Sequence, residues 1–320
     1  MATQMTRRGA LAALSAFAAA PALAQGGRTI TLMHGFPAGT NVDIVARFVA
    51  EHLGPRLGQT IVVESRPGAG GTTGAATVAR APADGSVLSI VAGGHAISAA
   101  IYNKLPYDPV EDFTFISMVQ EFPFVLATYS DHAARTVADV IRSAQADPGK
   151  LSCATGGNGT GMHLAFELFI AMGGIKIQHV PYRGSPQAIT DLLAKRIEFL
   201  VAPPSAVVPQ IRNGELRAIA VTGPERFFQL PDVPPIGDAV KGYTVTSWIG
   251  VAGPARLPAP LATRVNAELK AVLAEPAVVQ RLRDIEGDPR WTSPDEFKAR
   301  VAEDVAKWTK VVRDANIPRV

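Results

Sequence analysis

Gly35-Phe36-Pro37-Ala38-Gly39-Thr40-Asn41-Val42-Asp43 stands between two kinds of apolar pattern. Before it, Thr29-Ile30-Thr31-Leu32-Met33 alternates as a half-buried strand does; after it, Ile44, Val45, Phe48, Val49 and Leu53 recur at helical spacing. The reading is strand, glycine turn, helix, with Asn41 as the helix cap. Outward from there, Ile61-Val62-Val63 is a second strand, Arg66-Pro67-Gly68-Ala69-Gly70-Gly71 a second turn, residues 73–79 a second helix and Val87-Leu88-Ser89-Ile90-Val91 a third strand. That rhythm builds a parallel α/β sheet, whose ligands gather at the carboxyl ends of the strands.

The rhythm restarts after Pro123. Leu151-Ser152-Cys153-Ala154 leads into Gly156-Gly157-Asn158-Gly159-Thr160-Gly161-Met162-His163, then an apolar helix over residues 164–172 that stops at Gly173-Gly174. Residues 175–180 read as a strand, and Pro181-Tyr182-Arg183-Gly184-Ser185-Pro186 as a turn into a helix over 187–195, with Ser185 as cap and Pro186 at its first position. Residues 199–202 and 216–221 supply further strands, and the chain is largely helical from Leu261, ending in a helix over 294–315.

Each of the two glycine loops opens onto a helix start, where backbone N–H groups are unpaired and carry partial positive charge. Each is therefore a candidate anion clamp, and two clamps far apart in sequence predict a two-sided site. Asp43 has two roles open to it: balancing the helix dipole in the first turn, or meeting a cationic or hydroxyl group of a ligand. His163, one turn into its helix, can bond the loop backbone or touch the ligand, and Arg183 is read as bracing the loop or the rim.

Composition narrows the class. Residues 1–24 carry no acid, Arg7-Arg8 precede an apolar run over 10–20, and Ala22-Leu23-Ala24 suits signal cleavage, so they read as an export signal removed after Ala24, by either the Sec or the twin-arginine route. The run is shorter than the roughly 20 residues of a spanning helix. Its removal takes away two Arg, leaving 29 Lys and Arg against 28 Asp and Glu, a net charge of +1. That balance gives no basis for nucleic-acid binding. The remaining 296 residues exceed one typical core and predict two domains. Cys153 is the single cysteine, in apolar surroundings that suit a small buried residue.

Enzyme signatures fail. There is no G-x-S-x-G, H-E-x-x-H or G-x-x-x-x-G-K-[ST], and Thr73 and Met162 stand where a dinucleotide fingerprint needs its last glycine. His34, His52, His95, His132, His163 and His179 show no metal-ligand spacing. Neither a cofactor, a metal nor catalysis is expected.

Five motifs in order resemble the Bug-type receptors of tripartite tricarboxylate transporters. They are Phe36-Pro37-Ala38-Gly39 with Asp43-Ile44-Val45-Ala46-Arg47; Glu64-Ser65-Arg66-Pro67-Gly68-Ala69-Gly70-Gly71; Tyr102-Asn103-Lys104-Leu105-Pro106-Tyr107-Asp108-Pro109; Gly156 to His163 with Val180-Pro181-Tyr182-Arg183-Gly184-Ser185; and Leu230-Pro231-Asp232-Val233-Pro234. The resemblance implies a periplasmic, monomeric, type II-like binding protein of two α/β lobes with a ligand cleft between them. The lobes would comprise residues 25–123 with 247–320, and residues 124–246, with crossings near 122–124 and 246–249. It implies that loop amides hold a carboxylate, with Phe36, Ala38, Gly39, Thr40 and Asp43 on one side and Gly156, Asn158, Gly159, Thr160 and His163 on the other. Gly70, His95, Arg183 and Ala202 are further candidates. Relatives often carry a polar residue, commonly Asp, at the position of Ala202, and His34 and His95 are unusual beside the loops; these departures leave the substrate open and not the class. The implied role is capture of a small organic acid for membrane permease subunits; the alternative is a periplasmic sensor that presents its closed form to a signalling partner.

Overall fold

The computed structural model describes residues 29–285, 287–314 and 317–319. The expected export signal lies outside them. In the first sheet β1 (Ile30–His34) pairs parallel with β2 (Ile61–Ser65) and with β3 (Val87–Ala92), the crossovers being α1 (Asn41–Leu57) and α2 (Thr72–Ala79). After β3 come α3 (Gly94–Ile101) and the long β4 (Phe113–Pro123). The second sheet holds β5 (Val125–Tyr129), β6 (Ser152–Thr155), β7 (Gln178–Pro181), β8 (Phe199–Ala202) and β9 (Leu216–Val221), in the order β7-β6-β8-β5-β9. Its helices are α4 (Val137–Ala146), α5 (Gly161–Gly173), α6 (Ser185–Leu193) and α7 (Pro204–Arg212). The chain then returns through β10 (Thr246–Pro254), α8 (Ala259–Leu273), α9 (Pro276–Ile285), β11 (Asp288–Pro289) and α10 (Pro294–Asp314). The first sheet thus reads β11-β4-β10-β3-β1-β2, with β10 antiparallel to both of its neighbours. Among the described residues no helix is long and apolar enough to cross a membrane.

Periodicity explains the helices. In α1 the predicted stripe Val45, Phe48, Val49 and Leu53 is buried against the sheet, while Ile44 of the same apolar set faces solvent. The helix stops at Gly58, whose left-handed conformation (φ 66°) lets its amide cap the Gly54 and Pro55 carbonyls. Three local expectations shift. Thr40, not Asn41, takes the extended cap position of α1. Gly184 precedes α6, so Ser185 and Pro186 are its first two residues. The strand expected from Ile175 begins at Gln178, because the Ile175 amide is bonded to the Ile170 carbonyl at 3.1 Å and closes the end of α5.

Only Phe124 separates the last residue of β4 from the first of β5. Its amide donates to Oγ1 of Thr222 at 2.8 Å and its carbonyl accepts from the Thr222 amide at 2.9 Å. The Thr222 hydroxyl donates to the Val245 carbonyl at 2.7 Å, and the Val245 amide donates to the Thr222 carbonyl at 2.7 Å. A fully buried threonine therefore binds together both places where the chain passes from one sheet to the other. Cys153 is buried in β6, and burial pushes its thiol pKa far up, as suits a packing residue.

Candidate functional site

The two glycine loops are the same turn built twice. Gly39 and Gly159 have positive φ (78° and 73°), and each is followed by an extended threonine cap, Thr40 (φ −75°, ψ 162°) and Thr160 (φ −86°, ψ 161°). Each threonine hydroxyl donates to the carbonyl three residues back, Thr40 to Pro37 at 2.8 Å and Thr160 to Gly157 at 2.7 Å. Each glycine amide donates to the side chain four residues on: Gly39 to Oδ2 of Asp43 at 2.9 Å, Gly159 to Nδ1 of His163 at 3.3 Å. Glycine is needed at both positions for the left-handed turn. The acceptor differs, a carboxylate in one clamp and an imidazole in the other.

Asp43 is only 3% exposed, and both of its oxygens are occupied. Oδ1 accepts from Arg47 at 3.1 Å and lies 3.2 Å from Nε2 of His34; Oδ2 accepts from the Gly39 amide and from Nε of Arg47 at 3.1 Å. Burial alone would raise the Asp43 carboxyl, but the Arg47 guanidinium, the Gly39 amide and His34 outweigh it and hold it below the usual carboxylate range. Burial also lowers the pKa of His34 despite its acidic partner. The Phe36 amide at its Nδ1 (3.4 Å) puts the His34 proton on Nε2, toward Asp43. In the second clamp the Gly159 amide likewise assigns the His163 proton to Nε2, which faces Glu167 at 3.5 Å. The His163 ring stacks on His179 at 4.3 Å, and Nε2 of His179 is 2.7 Å from the Thr155 hydroxyl. Burial and the neighbouring His163 push His179 down to about 4. Donor atoms of His163, Glu167 and His179 come within 4.8 Å of one another, a grouping that sequence spacing did not reveal. A metal at Nε2 of His163 would need the lone pair that this proton occupies.

Between the sheets lies a cleft, open in part to solvent, whose atom-free space with that solvent included is about 440 Å³. Its wall contains the first residues of helices from both sheets: Asn41 and Val42 of α1, Gly94 of α3, Gly161 and Met162 of α5. Pro203, the cap of α7, and Gly70, in the turn leading into α2, complete this ring. First-turn amides have no partner within their own helix, so the wall is electropositive. Among the described residues, no Lys, Arg, His, Asp or Glu lines it. The rest is mostly apolar, with Phe36, Ala92, Phe122 and Phe124, and Ser247 of β10.

Of the residues expected from sequence, Phe36, Thr160 and Gly70 line this cavity. Asp43 does not; its carboxylate is bound inside the loop by the Gly39 amide, Arg47 and His34. The amides of Gly39 and Gly159, both expected to face a ligand, donate to the side chains of Asp43 and His163. His163 supports its loop through Nδ1. Ala38 and Asn158 are exposed, and neither they nor Thr40 and Gly156 line the cavity. Arg183 is exposed in the turn after β7, where a Cβ placed on Gly157 would lie 3.0 Å from the Tyr182 carbonyl. Ala202 is fully buried, paired with Val125, and its successor Pro203 reaches the cavity instead. His95 lines an adjoining recess with Tyr107; its Nε2–H donates to the Pro109 carbonyl at 2.8 Å, and burial pushes it down to about 4. Phe122, Phe124, Met162 and Ser247 were not foreseen.

Two α/β lobes with helix starts converging on a cavity between them define a solute-binding receptor of the periplasmic binding protein type. The chain belongs to the tripartite tricarboxylate transporter family receptors, whose profile it matches over residues 45–317. It is 30% identical to Protein BugT of Bordetella pertussis over 290 residues, 90% of this chain and 89% of that one. Among solved structures it resembles R. palustris Rpa4515 with adipate, at 33% identity and a TM-score of 0.86 over 92% of this chain and 100% of that one. MatC from Rhodopseudomonas palustris with bound malate is similar at 28% identity and a TM-score of 0.81, over 89% and 99% of the two chains.

Proposed function

We propose that this protein is an extracytoplasmic receptor that captures a small carboxylate-bearing metabolite and delivers it to the membrane permease of a tripartite tricarboxylate-type transporter. The observation that carries the reading is the cavity wall: helix starts from both lobes face one space that, among the described residues, no cationic side chain lines. Such a site meets an anion with first-turn amides, chiefly those of Val42, Gly161 and Met162. Hydrogen bonds to a charged group contribute ~1.5–3 kcal/mol each, so a few support micromolar affinity. The adipate and malate of the two similar structures support the same ligand class.

On this reading the lobes are residues 25–123 with 247–320, and residues 124–246, and a bound acid holds them closed at the Thr222 clasp. The protein acts as an exported monomer without cofactor. A thermal-shift screen of organic acids beside their amides tests the ligand class. The acids should raise the unfolding temperature and the amides should not; equal stabilisation by both would sink the anion-clamp reading.

A further inference from the structure

The wall between the helix starts carries more information than the sign of the ligand's charge. We infer that the acid this protein takes has an unsubstituted hydrocarbon body, and that Phe36, Val42, Phe122, Phe124 and Met162 are the residues that select it. The inference rests on the carboxylate-receptor reading and narrows it.

The polar side chains of the wall are Asn41, Thr160 and Ser247. The Thr160 hydroxyl is already engaged on both sides, donating to the Gly157 carbonyl at 2.7 Å and accepting from the His163 amide at 3.3 Å. Asp43 and Arg47, which could have read a hydroxyl or amino group, are bound to each other outside the wall. At the second lobe's entrance Pro203 offers no N–H, and Ala202 behind it is fully buried with only a methyl group.

Apolar contact, in contrast, comes from several directions. Phe122 and Phe124 stand at the first passage between sheets with ring centroids 6.0 Å apart at 86°, and both line the cavity. Phe36 contributes from the first loop and Met162 from the second. The Phe124 ring is set by the α5 start: a Cβ on Gly161 would lie 2.8 Å from its Cζ, so glycine there lets the ring close over the amides. A methylene or aryl body placed in this space gains dispersion contacts with such a lining. Beyond the reach of Asn41 and Ser247, a hydroxyl or amino substituent would lie against carbon and lose its water, a discrimination on the order of tenfold to a hundredfold.

Titration calorimetry on the full mature chain with hexanoate, adipate, benzoate, malate, citrate and glutamate, together with hexanamide and benzamide, tests this. Hexanoate, adipate or benzoate should bind at least tenfold more tightly than malate, citrate and glutamate, and Phe36→Ala should weaken the hydrocarbon acid while leaving the ligand-free melting temperature close to that of the parent. Malate, citrate or glutamate binding as tightly as the best hydrocarbon acid overturns the inference and leaves the anion receptor standing. Hexanamide or benzamide matching its acid overturns the anion reading while the hydrocarbon preference survives. Failure of all three hydrocarbon acids to bind at millimolar concentration also overturns the inference.

Discussion

The Gly159 amide donates to Nδ1 of His163, so an imidazole fixes the left-handed turn of the second clamp from four residues away. The acceptor matters more than the ring. His163→Phe leaves that amide without its partner in a buried place and should lower unfolding stability by ~1–3 kcal/mol. His163→Asn, whose carbonyl can accept as the Asp43 carboxylate does in the first clamp, should recover most of the loss. Urea denaturation of the two variants measures the difference; equal midpoints would remove the loop-bracing role.

Asp43→Asn keeps shape and one acceptor but removes the charge that faces Arg47 and His34. Arg47 is 62% exposed at its side chain and can turn to water, so the expected cost is ~1–3 kcal/mol, below that of a fully buried pair. Affinity for the acid should fall as well, because the Gly35–Thr40 turn loosens. Denaturation and calorimetry on one variant check both effects, and an unchanged affinity would separate this network from the site.

Burial lowers the pKa of His34, His95, His132 and His179, and two of these are shifted far enough to dominate acid stability. His95 and His179 are both pushed down to about 4 from 6.5, chiefly by burial. Above pH 6.5 native and unfolded chains are both neutral at these rings. As the pH falls from 6.5 toward 4 the unfolded chain takes protons that the native one refuses, so stability declines across that window, and the decline ends once the native rings protonate too. The slope approaches ~1.4 kcal/mol per pH unit for the fully buried His95 and is smaller for the more accessible His179. His95→Gln, which keeps a donor for the Pro109 carbonyl, should flatten the melting temperature against pH between 6.5 and 4; an unaltered profile would contradict it.

Thr222→Val is nearly isosteric and deletes the hydroxyl that the Phe124 amide and the Val245 carbonyl share. We expect a loss of ~1–3 kcal/mol in stability. We also expect a larger radius of gyration by small-angle scattering at saturating acid, because the two strand passages lose their common tie. A saturated radius identical to the parent's would place the hinge elsewhere.

Much of the fold was legible because strand alternation and helical recurrence are local signals, and β8 and β9 fall where the apolar runs at 199–202 and 216–221 place them. The site was legible to the level of its loops. The paired Gly39-Thr40 and Gly159-Thr160, with an acceptor four residues on, are visible in the chain, and comparing the two loops position by position could have assigned Asp43 and His163 to them. Moving the cap from Asn41 to Thr40 shifts every first-turn amide by one residue, and propensity does not resolve one residue. Phe122, Phe124 and Ser247 escaped for another reason: they reach the cavity through the passage between sheets, a relation set by contacts far apart in sequence that no local pattern records.

The placement of β10 governs the order in which this protein can assemble. Between β3 and β4 of the first sheet sits a strand that the ribosome makes only after every strand of the second sheet, 246–254 following 125–221. Until it arrives, β3 with β1 and β2 has an open edge, and β4 has no neighbour on either side. The second sheet, built from one uninterrupted stretch, can pair as soon as it emerges. The amino-terminal strands must therefore wait as unpaired edges, which template aggregation, while the middle of the chain is ready to fold.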